Sequence, residues 1–167
     1  MAIQFVVEDG TGKTDATSYV TEAEFRQYWE NRGVSYPVDP EPEGDEEQVT
    51  TESDKIKAYL NIATQFVDSS SWSGCEVSTT QALKWPRIGM VDSKGVVLST
   101  VIPQAVKDAV CYLGSVSNRL TEIHDNVSSQ SFGPVSTTYN GVGVRFPVSE
   151  KLLEPYLISG NKLQRVN

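Results

Sequence analysis

Between Ile56 and Val67 the apolar side chains Ile56, Leu60, Ala63 and Val67 recur at intervals of four, three and four. On a helix this spacing makes one apolar stripe, which Tyr59 and Phe66 widen. Such a stripe must be buried against another apolar face, and two further segments offer one. Phe25, Tyr28 and Trp29 share a face of a segment that Thr21 and Glu24 open as a capping box and Gly33 closes. Val106, Val110, Leu113 and Leu120 form a third stripe, in a segment that starts at Pro103, where a missing N–H costs little. The pattern predicts helices over 22–32, 54–68 and 103–120, with Ser53 capping the second.

Between the first two helices lies "VSYPVDPEPEGDEEQVTTES", with three prolines and a dense acid run. Eight acids and no base fall between Asp39 and Asp54. Such a segment buries too little apolar surface to offset its ordering entropy, so residues 37–52 are expected to form an exposed loop. The acids fit no calcium-loop spacing. Without them, the remaining 14 acids balance the 14 Lys and Arg. A non-specific nucleic-acid binder needs a basic footprint, and the totals show none.

The remaining signals are shorter. Ile3–Val7 reads as a strand, and Thr79–Leu83 as a helical turn stopped by Trp85-Pro86. Asp92-Ser93-Lys94-Gly95 reads as a turn before the apolar Val96–Leu98. In "VSTTYNGVGVRF", Asn140-Gly141 suits a two-residue hairpin turn between Val135–Tyr139 and Val142–Phe146. Ser149 is placed to cap a short helix carrying Leu152, Leu153, Tyr156 and Leu157, which Pro155 cuts short. The fold class expected is mainly α (α+β). It is a small helical bundle in one domain, 1–157, with a hairpin at 134–147, the acidic loop and a C-terminal tail at 158–167.

Candidate chemistry is sparse. Gly10-Thr11-Gly12-Lys13-Thr14 resembles the end of a phosphate-binding P-loop, which needs a further glycine five residues before Gly12. That position is Val7, β-branched where the backbone must turn tightly. No helix pattern follows at Asp15–Ser18, so the stretch is expected to be a Gly-rich turn rather than a nucleotide site. The single histidine, His124, has Glu122 and Asp125 nearby but no catalytic constellation. Cys75 and Cys111 make no disulfide framework, and Cys111 falls in an apolar helical pattern. No cofactor, metal or catalytic site is expected, nor is an enzyme. The chain shows no apolar run long enough for a bilayer and no basic-then-apolar leader, so soluble synthesis in a cytoplasm is expected.

Several stretches together resemble a known family: "VVEDGTG", "KAYLNIATQFVD", "WSG", "QALKWPRIGMVDSKG", "IPQAVKDAVCYL", "GPVSTTYN" and "EPYL". It is the family of tailed-phage head–tail connector, or adaptor, proteins, whose members also carry the label of DnaT-like single-stranded-DNA-binding proteins. The resemblance covers nearly the whole chain and is most specific at Gln81–Arg87 and Ile102–Val106. It implies a structural virion protein in the phage neck. A homo-oligomeric ring, commonly a dodecamer, would sit under the portal protein, extend the DNA channel without sequence-specific DNA binding, and dock the next neck or tail protein. The acidic run departs from shorter relatives. The tail is too poor in apolar residues to pack alone. Lys162, Leu163, Arg165 and Val166 are therefore its candidate portal-docking residues.

The alternative is a single-stranded-DNA-binding, primosome-like module. It would interleave bases with stacking aromatics along a groove. Lys84-Trp85-Pro86-Arg87 is the only compact example in the chain, and it reads equally as a turn with Trp85 packed inward.

Overall fold

The computed structural model describes residues 3–36, 51–116, 129–132, 135–138 and 147–158. Helix α1 is Glu22–Glu30, α2 is Glu52–Asp68, and the two-residue strands β1 (Cys75–Glu76) and β2 (Arg87–Ile88) follow. Helix α3 is Gln104–Ser115, β3 is Ser129–Phe132, β4 is Val135–Thr138, and α4 is Pro147–Leu153, which tightens into a 3₁₀ turn at Glu154–Tyr156. The mainly helical α+β class expected from the sequence is the one observed.

Helix α3 is central, packed on one side by α2 and on another by α4, with α1 touching both α2 and α3. Its Val106, Ala109, Val110 and Leu113 are completely buried, as are Ile56, Leu60, Ala63 and Val67 of α2. Gly114 lies where α3 meets α1 and α2. An added Cβ there would come within 3.2 Å of the Phe25 ring and 3.3 Å of Leu60. The Thr21–Glu24 capping box is present, with Glu24 N–H donating to Thr21 Oγ1 and Thr21 N–H to Glu24 Oε2. No helix among the described residues is long and apolar enough to cross a membrane.

The structure corrects several expectations. Thr51, not Ser53, caps α2, accepting from the Asp54 N–H at 3.1 Å. Ser53 instead donates to Glu22 Oε2 at 2.6 Å, which ties α2 to α1. The segment from Ile3 is no strand. Among the described residues its only ladder contact is a parallel bridge from Val7 to Ser18, because the chain turns away at once into the Gly-rich loop. Residues 79–83 form no helical turn. The Gln81 amide takes the local backbone bonds, accepting from Ser78 N–H and donating to Leu83 O and Pro86 O. Pro103 is the N-cap of α3 rather than its first helical residue, and the helix is described to Ser115. Ser149 lies buried inside α4, which starts two residues earlier, at Pro147.

Val135–Thr138 is a strand as expected, and it pairs antiparallel with Ser129–Phe132, the Phe132–Val135 pair leaving two residues between. The polar Ser-Gln-Ser-Phe gave no alternating pattern to announce β3. Asn140, Gly141 and the arm expected at Val142–Phe146 lie outside the described residues, as do His124, Leu120, most of the acidic run, and Lys162, Leu163, Arg165 and Val166.

Candidate functional site

Two stretches carried the sequence signals closest to phosphate or nucleic-acid chemistry, and both can be followed atom by atom. In the Gly-rich loop, consecutive backbone N–H groups do converge on an anion, as in a phosphate nest. The anion is the protein's own. Glu8 is almost wholly buried, and its Oε1 accepts from the Gly10 and Gly12 N–H groups, both at 2.9 Å. Its Oε2 accepts from the Lys13 N–H at 2.7 Å. Gly10 holds a φ of +98°, and an added Cβ would lie 2.2 Å from the Thr100 carbonyl oxygen, so only glycine fits.

The Lys13 side chain is also engaged inward. Its Nζ donates to Val7 O at 2.7 Å and pairs with Asp9 at 3.0 Å. The Thr11 hydroxyl, and then Lys13, hold the Asp9 carboxyl down at about 2. The loop is anchored to the next segment too, through Ala82 N–H to Lys13 O at 2.8 Å. The nest is therefore occupied by a side chain, and the lysine that would reach a phosphate is spent on the loop itself.

The second stretch, Lys84 to Arg87, is built as a buried corner. Trp85 is completely buried, edge-on to Trp72 at 5.4 Å between centroids and to Tyr156 at 5.7 Å. Arg87 is also buried, and its guanidinium donates to the carbonyls of Ser73, Gly74 and Lys84 at 2.7–2.9 Å. It acts as a clamp on the backbone of the two-stranded ribbon. Lys84 is the exposed member and pairs with Glu76 at 2.8 Å. Neither the ring nor the guanidinium can stack on a base, so the inward-packed turn is the arrangement found.

Behind this corner lies a polar relay that the sequence did not disclose. The Trp85 backbone N–H donates to Tyr19 Oη at 3.0 Å, and the Tyr19 hydroxyl donates to Asp68 Oδ1. Asp68 Oδ2 accepts from the Lys84 N–H at 3.0 Å. Burial raises the Asp68 carboxyl to about 6, against the lowering effect of these bonds, and burial likewise pushes the Tyr19 phenol well up. Asp68 also lines a cleft of about 560 Å³ with Gln4, Thr17, Asn61, Gln65 and Leu83. An acid at the last turn of a helix reads as a solvated surface residue, which is why sequence reasoning missed it.

The raised value has a measurable consequence. Between pH 4 and 6 folded Asp68 holds a proton that the unfolded chain has lost, so its contribution to stability falls as pH rises through that window. The loss amounts to at most about 3 kcal/mol. Asp68→Asn does not titrate, so its melting temperature relative to wild type should climb from pH 4 to pH 7. A pH-independent difference would show that Asp68 ionises normally.

Cys75 is exposed, Cys111 is buried in α3, and both are free thiols. Burial pushes the Cys111 thiol up to about 12, which keeps it inert. Trp29 is partly buried, its indole N–H donating to Cys111 O at 3.2 Å.

The described residues thus define a mainly helical α+β domain whose Gly-rich and Trp-Pro loops are fastened by its own buried charges. The chain belongs to the family described as "Putative DnaT-like ssDNA binding protein", which it matches over residues 3–166. No curated protein and no solved structure matches it. The family description agrees with the single-stranded-DNA label attached to the resemblance, and says nothing of head–tail connectors.

Proposed function

We propose that this chain works by protein–protein assembly, as a head–tail adaptor of a tailed phage that rings the DNA channel beneath the portal and docks the next neck component. The observation that carries assembly is an uncovered apolar ribbon. Val91 and Val97 face each other across an antiparallel bridge and are 61% and 58% exposed. Val96, on the same ribbon, and Ile88, on β2, are exposed as well. Side chains of this kind suit a second protein surface and offer a nucleic-acid strand neither charge nor stacking. A ring needs head-to-tail contacts in which one such face meets a different face of the next copy. The adaptor role itself rests on the resemblance over Gln81–Arg87 and Ile102–Val106, and Lys162, Leu163, Arg165 and Val166 are its portal-docking residues.

The test is co-sedimentation with portal-containing heads. Wild type should join the heads, and Val97→Asp should stay folded by circular dichroism yet fail to join. A wild type that remains monomeric and unbound overturns the adaptor reading. Wild-type binding by Val97→Asp removes the valine ribbon from it.

A second reading, a single-stranded-DNA-binding module, is the one that the family description favours. It needs a surface other than Lys84–Arg87, since Trp85 and Arg87 are buried.

A further inference from the structure

The valine ribbon turns at Asp92–Gly95, and the turn is locked by its own acid. Asp92 Oδ1 accepts from the Lys94 and Val96 N–H groups, both at 2.8 Å, and the Gly95 N–H donates to Asp92 O at 3.0 Å. Lys94 is exposed on this turn, and its ammonium makes no ion pair among the described residues. Val91, Val96 and Val97, on either side of it, are exposed as well. The turn therefore carries an unpaired cation between apolar side chains.

The cleft at the end of α2 has the complementary character. Ile3, Ala16, Ala82 and Leu83 give it apolar walls, and Asp68 is the one titratable group that lines it among the described residues. Asp68 accepts from the Tyr19 hydroxyl and the Lys84 N–H, which uses two of a carboxylate's roughly four acceptor positions. The Lys84 ammonium is engaged elsewhere, 2.8 Å from Glu76. Burial raises the Asp68 carboxyl to about 6, and a cation brought beside it would offset that desolvation.

We propose that the Asp92–Gly95 turn of one copy enters this cleft on the next copy, setting Lys94 against Asp68 and the flanking valines against the apolar walls. The pairing rests on the assembly reading above and names the face that meets the valine ribbon. Charge complementarity selects the occupant, because an unpaired cation on one surface answers a carboxylate that has no cation in its cleft. Lys151, another exposed lysine with no ion pair among the described residues, is carried by helix α4. A helix is about 10–12 Å across, so Lys151 would reach in by its side chain alone, whereas a narrow turn brings apolar neighbours with it. A cleft of about 560 Å³ has room for a lysine and part of its turn. Turn and cleft are different surfaces of the chain, so the contact repeats head to tail, as a ring requires.

The experiment uses the isolated full chain with Cys75→Ser and a cysteine pair, Ser93→Cys in the turn and Gln65→Cys in the cleft, under mild oxidation. The expected result is a ladder of covalent oligomers, since every copy has both a turn and a cleft. Lys94→Gln in the same background should slow its formation by about tenfold, as should Asp68→Asn, while Lys94→Arg should keep it. Lys94 lies on an exposed turn, so its substitution reports docking even if Asp68→Asn perturbs the fold. No cross-link, cross-links within one chain, dimers that grow no further, or an equal rate in Lys94→Gln would each overturn the pairing. A ladder from a chain that fails to join portal-containing heads would keep the pairing and remove the adaptor role. Head binding without a ladder would do the reverse.

Discussion

Trp85→Ala is expected to lower the stability of the folded chain by about 3–5 kcal/mol, the range for emptying a large aromatic site in a packed core. Trp85 joins segments far apart in sequence. Its ring packs on Trp72, after α2, and on Tyr156, in the 3₁₀ turn after α4. Its backbone N–H reaches Tyr19, which reaches Asp68 at the end of α2. Truncation removes the ring that these elements share, and the indole's volume is too large for neighbours to fill. Chemical denaturation of variant and wild type measures the loss directly. A change below about 1 kcal/mol would mean that the corner can collapse, and that Trp85 is free for another purpose.

The second large effect is expected at Glu8. Glu8→Ala deprives three N–H groups, those of Gly10, Gly12 and Lys13, of their acceptor. A buried donor left unmatched costs about 1–3 kcal/mol. Water can reach the Lys13 side of the loop, so the total should be about 3 kcal/mol rather than the full sum. Glu8→Gln retains one acceptor oxygen and should lie between the variant and wild type. The emptied nest then becomes a place for a free anion, so sulfate should raise the melting temperature of Glu8→Ala more than that of wild type. An equal response in both proteins would show that the loop rearranges when Glu8 is lost.

Periodic burial was legible in the sequence. The α2 and α3 stripes place Leu60, Val67, Val106 and Val110 in the core because one helix turn returns each to the same face. The Thr21–Glu24 box was legible for a similar reason, since its spacing is fixed by helix geometry. What stayed hidden depends on contacts between distant segments. The ribbon at 75–98 is held by pairs of one or two residues, too short for any alternation to develop. Arg87 and Glu8 are charged, and composition places such side chains in water, yet each is buried by the backbone groups it satisfies. A charged residue beside a glycine-rich or Trp-Pro turn is the available cue, and Glu8 before Asp9-Gly10 fits it.

The two nucleotide-like motifs serve the fold, and the proposed assembly role has the chain act on proteins rather than on DNA strands. Fluorescence anisotropy of a labelled oligo-dT strand, titrated with the full chain at 50 and 150 mM salt, tests this most directly. No saturable binding is expected at 150 mM salt, and no effect of Lys84→Ala at either concentration. Saturable binding with a steep salt dependence would contradict it, and would assign the chain the function that its family description names.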